Sequence, residues 1–353
     1  MELAYAYQQV KERLDQLDFS ALYRGFSRFP FALYNNEKTY INGEYIDKPA
    51  GFLGNTSVLY NGTHTAIWQL GEEEWDFDVL AAKLAHEMLH AYQNAVGEKR
   101  WADERTALVK YPQDAANVSA RIEEAACMEQ CLSENAPEAF ARLLALRKAR
   151  MERFPFAYDY EARIEQIEGT AHFVELAALK QLNGDKAKER WRRLFAELRD
   201  PKRYFPARSV TYLSGAAFIA CLKKYTEFDT DAFTDVPFAV AALKEVRPCE
   251  LPEIDPRVEA ALADWRKEGR EIVTRAIEKG DIVLAGVYRL VAFNVYDAFW
   301  DGQYAVISAF IGYIEGTDLP DTDEALFAQM KVLNGNFVAE LDENLRFSRV
   351  WRQ

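Results

Sequence analysis

Leu84-Ala85-His86-Glu87-Met88-Leu89-His90-Ala91-Tyr92-Gln93 carries the pattern H-E-x-x-H within a run whose apolar residues, Leu80, Leu84, Met88, Ala91 and Ala95, recur every three or four positions. That spacing predicts a helix, which Asp76 or Asp78 can cap at its start and Gly97 can end. Two imidazoles four residues apart on a helix lie on one face, one turn apart, so both can reach a single Zn²⁺ at about 2.0–2.1 Å. Glu87 then projects beside the metal, where it can take a proton from an activated water and pass it to a leaving group. With four histidines in 353 residues, the pattern arises by accident in roughly 0.3% of such chains. An unpartnered histidine pair on an apolar helix is also costly to bury, so metal binding is the expectation.

Working outward, residues 3–26 read as an amphipathic helix, followed by two hairpin signals. Asn42-Gly43 separates Thr39-Tyr40-Ile41 from Glu44-Tyr45-Ile46, and Asn61-Gly62 separates Ser57-Val58-Leu59-Tyr60 from a strand ending at Leu70. An exposed edge strand beside the H-E-x-x-H helix can hold an extended peptide by main-chain pairing. From 103 to 198 the pattern is helical throughout, with segments at 120–132, 137–150, 157–182 and 186–198. Loops around a short helix near 238–246 lead to a charged helix over 257–279. Beyond Gly280, apolar strand-like runs at 282–300, 303–314, 327–333 and 337–341 flank Asp301-Gly302 and Asn334-Gly335 and predict an antiparallel meander.

A catalytic zinc normally has three protein ligands and an open fourth position. Within the segment 157–182, Glu168-Gly169-Thr170-Ala171-His172-Phe173-Val174-Glu175 reads E-G-x-A-x-F-x-E. Its small residues would let this helix approach the first closely, which favours Glu168 as third ligand. Glu123 and Glu124 lie nearer in sequence and are the competing pair. Glu175 can accept a hydrogen bond from a ligand histidine or form a surface ion pair. His172, one turn past Glu168, can reach a ligand or substrate, or simply pack.

H-E-x-x-H followed by E-G-x-A-x-[FY]-x-E resembles the gluzincin metallopeptidases, the broad group that contains thermolysin-like and aminopeptidase-N-like enzymes. The resemblance implies His86, His90 and Glu168 as zinc ligands and Glu87 as the catalytic base. Thr211-Tyr212-Leu213-Ser214-Gly215-Ala216 then matches the Tyr-x-x-Gly-Ala of aminopeptidase-N-like enzymes, which places Tyr212 as donor to the oxyanion. A phenol suits that task because it donates to developing negative charge while itself neutral. The resemblance spans roughly 80–222 and includes no G-x-M-E-N-type signature, so it does not imply aminopeptidase activity and leaves endo- and exopeptidase both open. The expected fold is α+β and predominantly α. Its parts are an N-terminal helix and hairpins (1–75), a gluzincin-like helical core (76–250), and a helix with an antiparallel sheet (251–353).

Composition narrows the partners. Hydrophobic residues at 49% and aromatics at 13% suffice for a large core, while a net charge of −13 argues against nucleic acid and anionic membranes. No apolar run approaches a membrane span, and Met1–Glu12 lacks a basic region followed by an apolar core, so a cytoplasmic protein is expected. Cys127, Cys131, Cys221 and Cys249 are too sparse for a disulfide framework and read as buried apolar residues. The expected activity is hydrolysis of peptide bonds in a peptide or protein substrate by zinc-activated water. The rivals are a non-catalytic zinc scaffold that binds a partner and a hydrolase of other amides.

Overall fold

Asp18 decides how the chain begins. In the computed structural model, which describes residues 2–316, 318–320 and 322–353, the segment read as one helix over 3–26 divides into α1 (Leu3–Leu14) and a single turn α2 (Phe19–Leu22). The Asp18 carboxylate accepts from the Ala21 amide and starts a new helix where the first would have continued. Five strands follow: β1 (Phe31–Tyr34), β2 (Lys38–Ile41), β3 (Glu44–Asp47), β4 (Thr56–Tyr60) and β5 (Thr63–Gln69). Both Asn-Gly pairs close hairpins, with φ of 52° and 90° at Asn42-Gly43 and 47° and 77° at Asn61-Gly62. Sequence marks no strand before Thr39, because Phe31-Ala32-Leu33-Tyr34 is buried throughout and lacks a strand's alternation. β1 pairs in parallel with β5, so the sheet is mixed, ordered β3-β2-β1-β5-β4, with β4 at an edge.

The helical middle comprises α3 (Phe77–Ala95), α4 (Glu104–Lys110), α5 (Ala115–Ser133), α6 (Pro137–Arg153), α7 (Pro155–Ile164), α8 (Thr170–Leu182), α9 (Gly184–Leu198), α10 (Arg208–Tyr225) and α11 (Phe238–Ala241). Asn183 ends α8, and its side chain accepts from the Lys186 amide and caps α9. Leu80, Leu84, Met88 and Leu89 of α3 are fully buried against α1, the sheet and α8. Burial of each contributes about 1.5–3 kcal/mol, which fixes the rotation of α3 and hence the direction of its polar stripe. Cys127, Cys131 and Cys221 lie in a second core formed by α5, α6 and α10, as small apolar residues.

α12 (Pro256–Lys279) leads into a seven-stranded antiparallel sheet. Its strands are β6 (Ile282–Phe293), β7 (Phe299–Trp300), β8 (Tyr304–Ile307), β9 (Phe310–Glu315), β10 (Lys331–Asn334), β11 (Phe337–Leu341) and β12 (Arg346–Arg352), with α13 (Asp323–Gln329) between β9 and β10. The order is β10-β9-β6-β12-β11-β8-β7, so β12 inserts between β6 and β11 and the pairing departs from strict chain order. Asp301-Gly302 does connect paired strands. Asn334-Gly335 does not, since β10 pairs with β9 and β11 with β8 and β12. The run expected over 327–333 is helical to Gln329, started by the Thr322 hydroxyl accepting from the Ala325 amide. The run over 303–314 breaks at Ala309, whose φ is 64°. The run over 282–300 breaks at Asn294, whose side chain accepts from the Tyr296 amide and donates to Asp297 and Ser308. That break creates the loop carrying Tyr296. Among the described residues no helix is long and apolar enough to cross a membrane.

Candidate metal centre

Asp76 caps α3 by accepting from the amides of Asp78 and Val79, as the sequence suggests. With the apolar face packed inward, Lys83, His86, Glu87, His90 and Asn94 form one stripe that lines a cavity of about 380 Å³. Glu168 enters this cavity from a π-helical turn, Glu165–Gly169, inserted between α7 and α8. There the Thr170 amide reaches back five residues to the Glu165 carbonyl. A π-turn advances each residue through a smaller angle than an α-helix does, so side chains three apart no longer share a face. Glu165 therefore points into the core while Glu168 points at the histidines.

Glu165 is held from behind. Both of its oxygens accept from Arg147 at 2.7 Å, and the Ser214 hydroxyl donates to Oε1 at 2.7 Å. The surrounding network contains Arg121, Arg147 and Arg150 against Glu124, Glu161 and Glu165, each no more than 3% exposed. Arg150 donates to Glu124 at 2.7 Å and to Glu161 at 2.6 Å. Glu124, one competitor for third ligand, is thereby committed to arginines, and Glu123 is bound by Arg142. Gly169 also has a partner other than the expected one. A Cβ placed there would lie 2.7 Å from Gly215 Cα, so the glycine brings α10 against the π-turn. Approach of α8 to α3 rests instead on fully buried Ala171, Val174 and Ala178.

Glu168 Oε2 lies 3.7 Å from His86 Nε2 and 3.3 Å from His90 Nε2. Two ligand atoms of a tetrahedral zinc with 2.0–2.1 Å bonds are about 3.3 Å apart, and all three donors here lie within 4.8 Å of one another, close enough to share one ion. The hydrogen bonds support the same fit. Gln93 Nε2 donates to the Ile167 carbonyl of the π-turn at 3.2 Å, which turns Gln93 Oε1 toward His90 Nδ1 at 2.8 Å. An amide oxygen only accepts, so Nδ1 carries a proton and Nε2 is the nitrogen that faces Glu168. In its neutral form His90 would thus offer the Nε2 lone pair to a metal held jointly with Glu168. Glu175 Oε2 stands 3.4 Å from His86 Nδ1 and 3.3 Å from His172 Nδ1, so Glu175, itself buried, is placed to orient His86. Gln93→Leu is expected to weaken zinc binding about ten- to a hundredfold without unfolding the chain, which competitive chelator titration would measure.

The local field favours positive charge. Burial opposes ionisation of Glu168, but His90, His86 and Arg208 outweigh it and hold its carboxyl well below the usual range. Burial likewise disfavours the His86 cation, yet Glu168 and Glu175 push its pKa up to about 10. A metal must displace such protons, and the field that retains them also attracts it. Glu87 is raised chiefly by burial, with His86 and His90 opposing, as suits a general base.

Tyr212 lines the same cavity, as does Tyr296 from the loop between β6 and β7, with the two hydroxyls 3.4 Å apart. Arg208 donates to Glu168 Oε1 at 3.1 Å, pairs with Glu104 at 3.1 Å, and lies over both tyrosine rings. The structure thus gathers all five residues singled out by sequence. Sequence reading missed Gln93, Arg208 and Tyr296. Gln93 and Arg208 were within reach, three residues after His90 and four before Tyr212 on their helices. Nothing in the sequence links Tyr296 to residues more than eighty positions away.

Compared with known proteins, the chain matches no family model, no curated protein and no solved structure.

Proposed function

We propose that the chain is a zinc-dependent metallopeptidase of gluzincin type, with His86, His90 and Glu168 as ligands. The observation that carries this reading is the convergence of these three donors, from α3 and the π-turn, within 4.8 Å of one another on a cavity wall. Bound there, zinc would supply Lewis acidity to a scissile carbonyl and acidify water. Glu87, next to His86 on the same cavity stripe, takes the proton from the attacking water on its carboxylate and returns it to the departing amine. Tyr212, kept protonated first by burial and then by the nearby Glu168 charge, donates its hydroxyl proton in a hydrogen bond to the oxyanion. Arg208 and Gln93 hold Glu168 and His90 in place. β4 contributes Thr56 and Ser57 to the cavity, and its free edge can pair with an extended peptide. A cytoplasmic location is part of the proposal, supported by the packing of Cys127, Cys131 and Cys221 as core residues.

Zinc per chain, measured by elemental analysis on the unmutated protein and on Glu168→Ala after identical zinc loading and dialysis, tests the ligand set. Near-stoichiometric zinc that falls sharply in the variant is expected. Equal zinc in both would remove Glu168 from the ligand set, and none in either would end the metallopeptidase reading.

A further inference from the structure

Lys83 stands apart from the other charged groups of the cavity. It lies on the same stripe of α3 as His86, Glu87 and His90, three residues before the first histidine. Its ammonium sits 5.2 Å from the centre of the Trp68 ring. Trp68 follows Ile67, which stands opposite Thr56 at the start of the edge strand β4. The ammonium is therefore placed beside the path an extended chain would take along that strand.

The carboxylates around it are already engaged. Glu168 is shared among His86, His90 and Arg208, and Glu175 between His86 and His172. Glu87, four residues beyond Lys83 on the helix, is buried, and the charges that act on it are those of the histidines and the other two glutamates. Among the described residues Lys83 has no ion pair and no hydrogen bond; its one specific contact is the indole face. In a chain with 56 acidic and 43 basic residues, carboxylate partners are in excess, so an unanswered ammonium facing a cavity is notable. An indole face holds a cation in place without neutralising it, which leaves its three donors for another group.

We propose that Lys83 is a specificity-determining residue that takes a carboxylate of the substrate, giving the cavity a preference for acidic peptides. This rests on the metallopeptidase reading for its peptide substrate. A single ammonium suits one carboxylate better than a phosphate, which usually gathers several donors. The carboxylate can be an acidic side chain or the free C-terminus.

Both sources can be separated by calorimetry on zinc-loaded Glu87→Gln protein, which binds without turnover. The probes are short peptides that differ only by Glu against Gln at each position in turn, and a matched pair ending in carboxylate or carboxamide. The acidic member of at least one pair is expected to bind about ten- to a hundredfold more tightly than its isostere. Adding Lys83→Met should abolish that advantage, and adding Lys83→Glu should transfer it to Lys-containing peptides. An advantage in the Glu/Gln series assigns the side chain, and one confined to the terminal pair assigns the C-terminus. Equal affinities throughout, no binding by any peptide, or an advantage that survives Lys83→Met at unchanged thermal stability would overturn the proposal. Hydrolysis of the same peptides by protein with Glu87 intact is read in parallel. Selective binding without hydrolysis would sink the peptidase reading and keep Lys83, while hydrolysis without selectivity would do the reverse.

Discussion

Glu87→Gln is expected to keep its zinc and lose hydrolysis by about 10²–10⁴-fold. Glutamine has nearly the shape of glutamate, so the packing of α3 is preserved, and Glu87 is not one of the three donors proposed as ligands. What disappears is the basic oxygen. Burial raises the carboxyl of Glu87 above its usual range, which makes it a stronger base than an exposed glutamate. The comparison is made at matched zinc content, with turnover of a peptide mixture followed by mass spectrometry. Hydrolysis that persisted undiminished would exclude Glu87 as the base, whatever the metal content.

The second large effect lies behind the site. Arg147→Met should destabilise the protein by about 3–5 kcal/mol, because it leaves buried carboxylates without their cation. Arg147 holds Glu165 with two bonds of 2.7 Å, lies 3.4 Å from Glu124, and sits 3.9 Å above the Phe218 ring. An exposed pair such as Lys11 with Asp15 is worth a tenth of that, about 0.3–0.5 kcal/mol, since water already solvates both ends. Denaturant unfolding of the two variants, Arg147→Met and Lys11→Met, would show the contrast. A loss for Arg147→Met no larger than for Lys11→Met would refute a structural role for the network. The same network sets the acid limit of stability. Burial works against the charge on Glu161, but Arg121 and Arg150 prevail and depress its pKa from 4.5. A depressed carboxyl binds its proton more weakly folded than unfolded, so its contribution is full above the unfolded value. It fades as pH falls from about 4.5 toward the folded value.

Tertiary geometry also explains which parts of the sequence could be read. The histidines and Glu87 needed only helical periodicity, a local property that their apolar neighbours display. The hairpins needed only Asn-Gly, whose tolerance of positive φ belongs to two residues. The expected helix over 157–182 is present in outline, but its π-turn has no local signature. That turn exists because Arg147 and Ser214 draw Glu165 one way while Glu168 faces the histidines, and both demands come from elsewhere in the chain. Gly169 does permit a close approach, but of α10 and not of α3, since sequence does not say which helix arrives.

The C-terminal sheet shows the same division. Its strand-forming character follows from composition, whereas the breaks at Asn294 and Ala309 and the insertion of β12 depend on which strand reaches which edge. Sequence by itself determined the α+β class and the helix that carries His86, Glu87 and His90, and it offered Glu168 as a candidate third ligand, because those features rest on local spacing. Only tertiary structure engaged Glu123 and Glu124 with arginines, brought Tyr296 to Tyr212, turned His90 Nε2 toward Glu168 through Gln93, and left Lys83 without an anion. Each of those depends on distances between segments far apart in sequence, which packing decides and local periodicity does not encode.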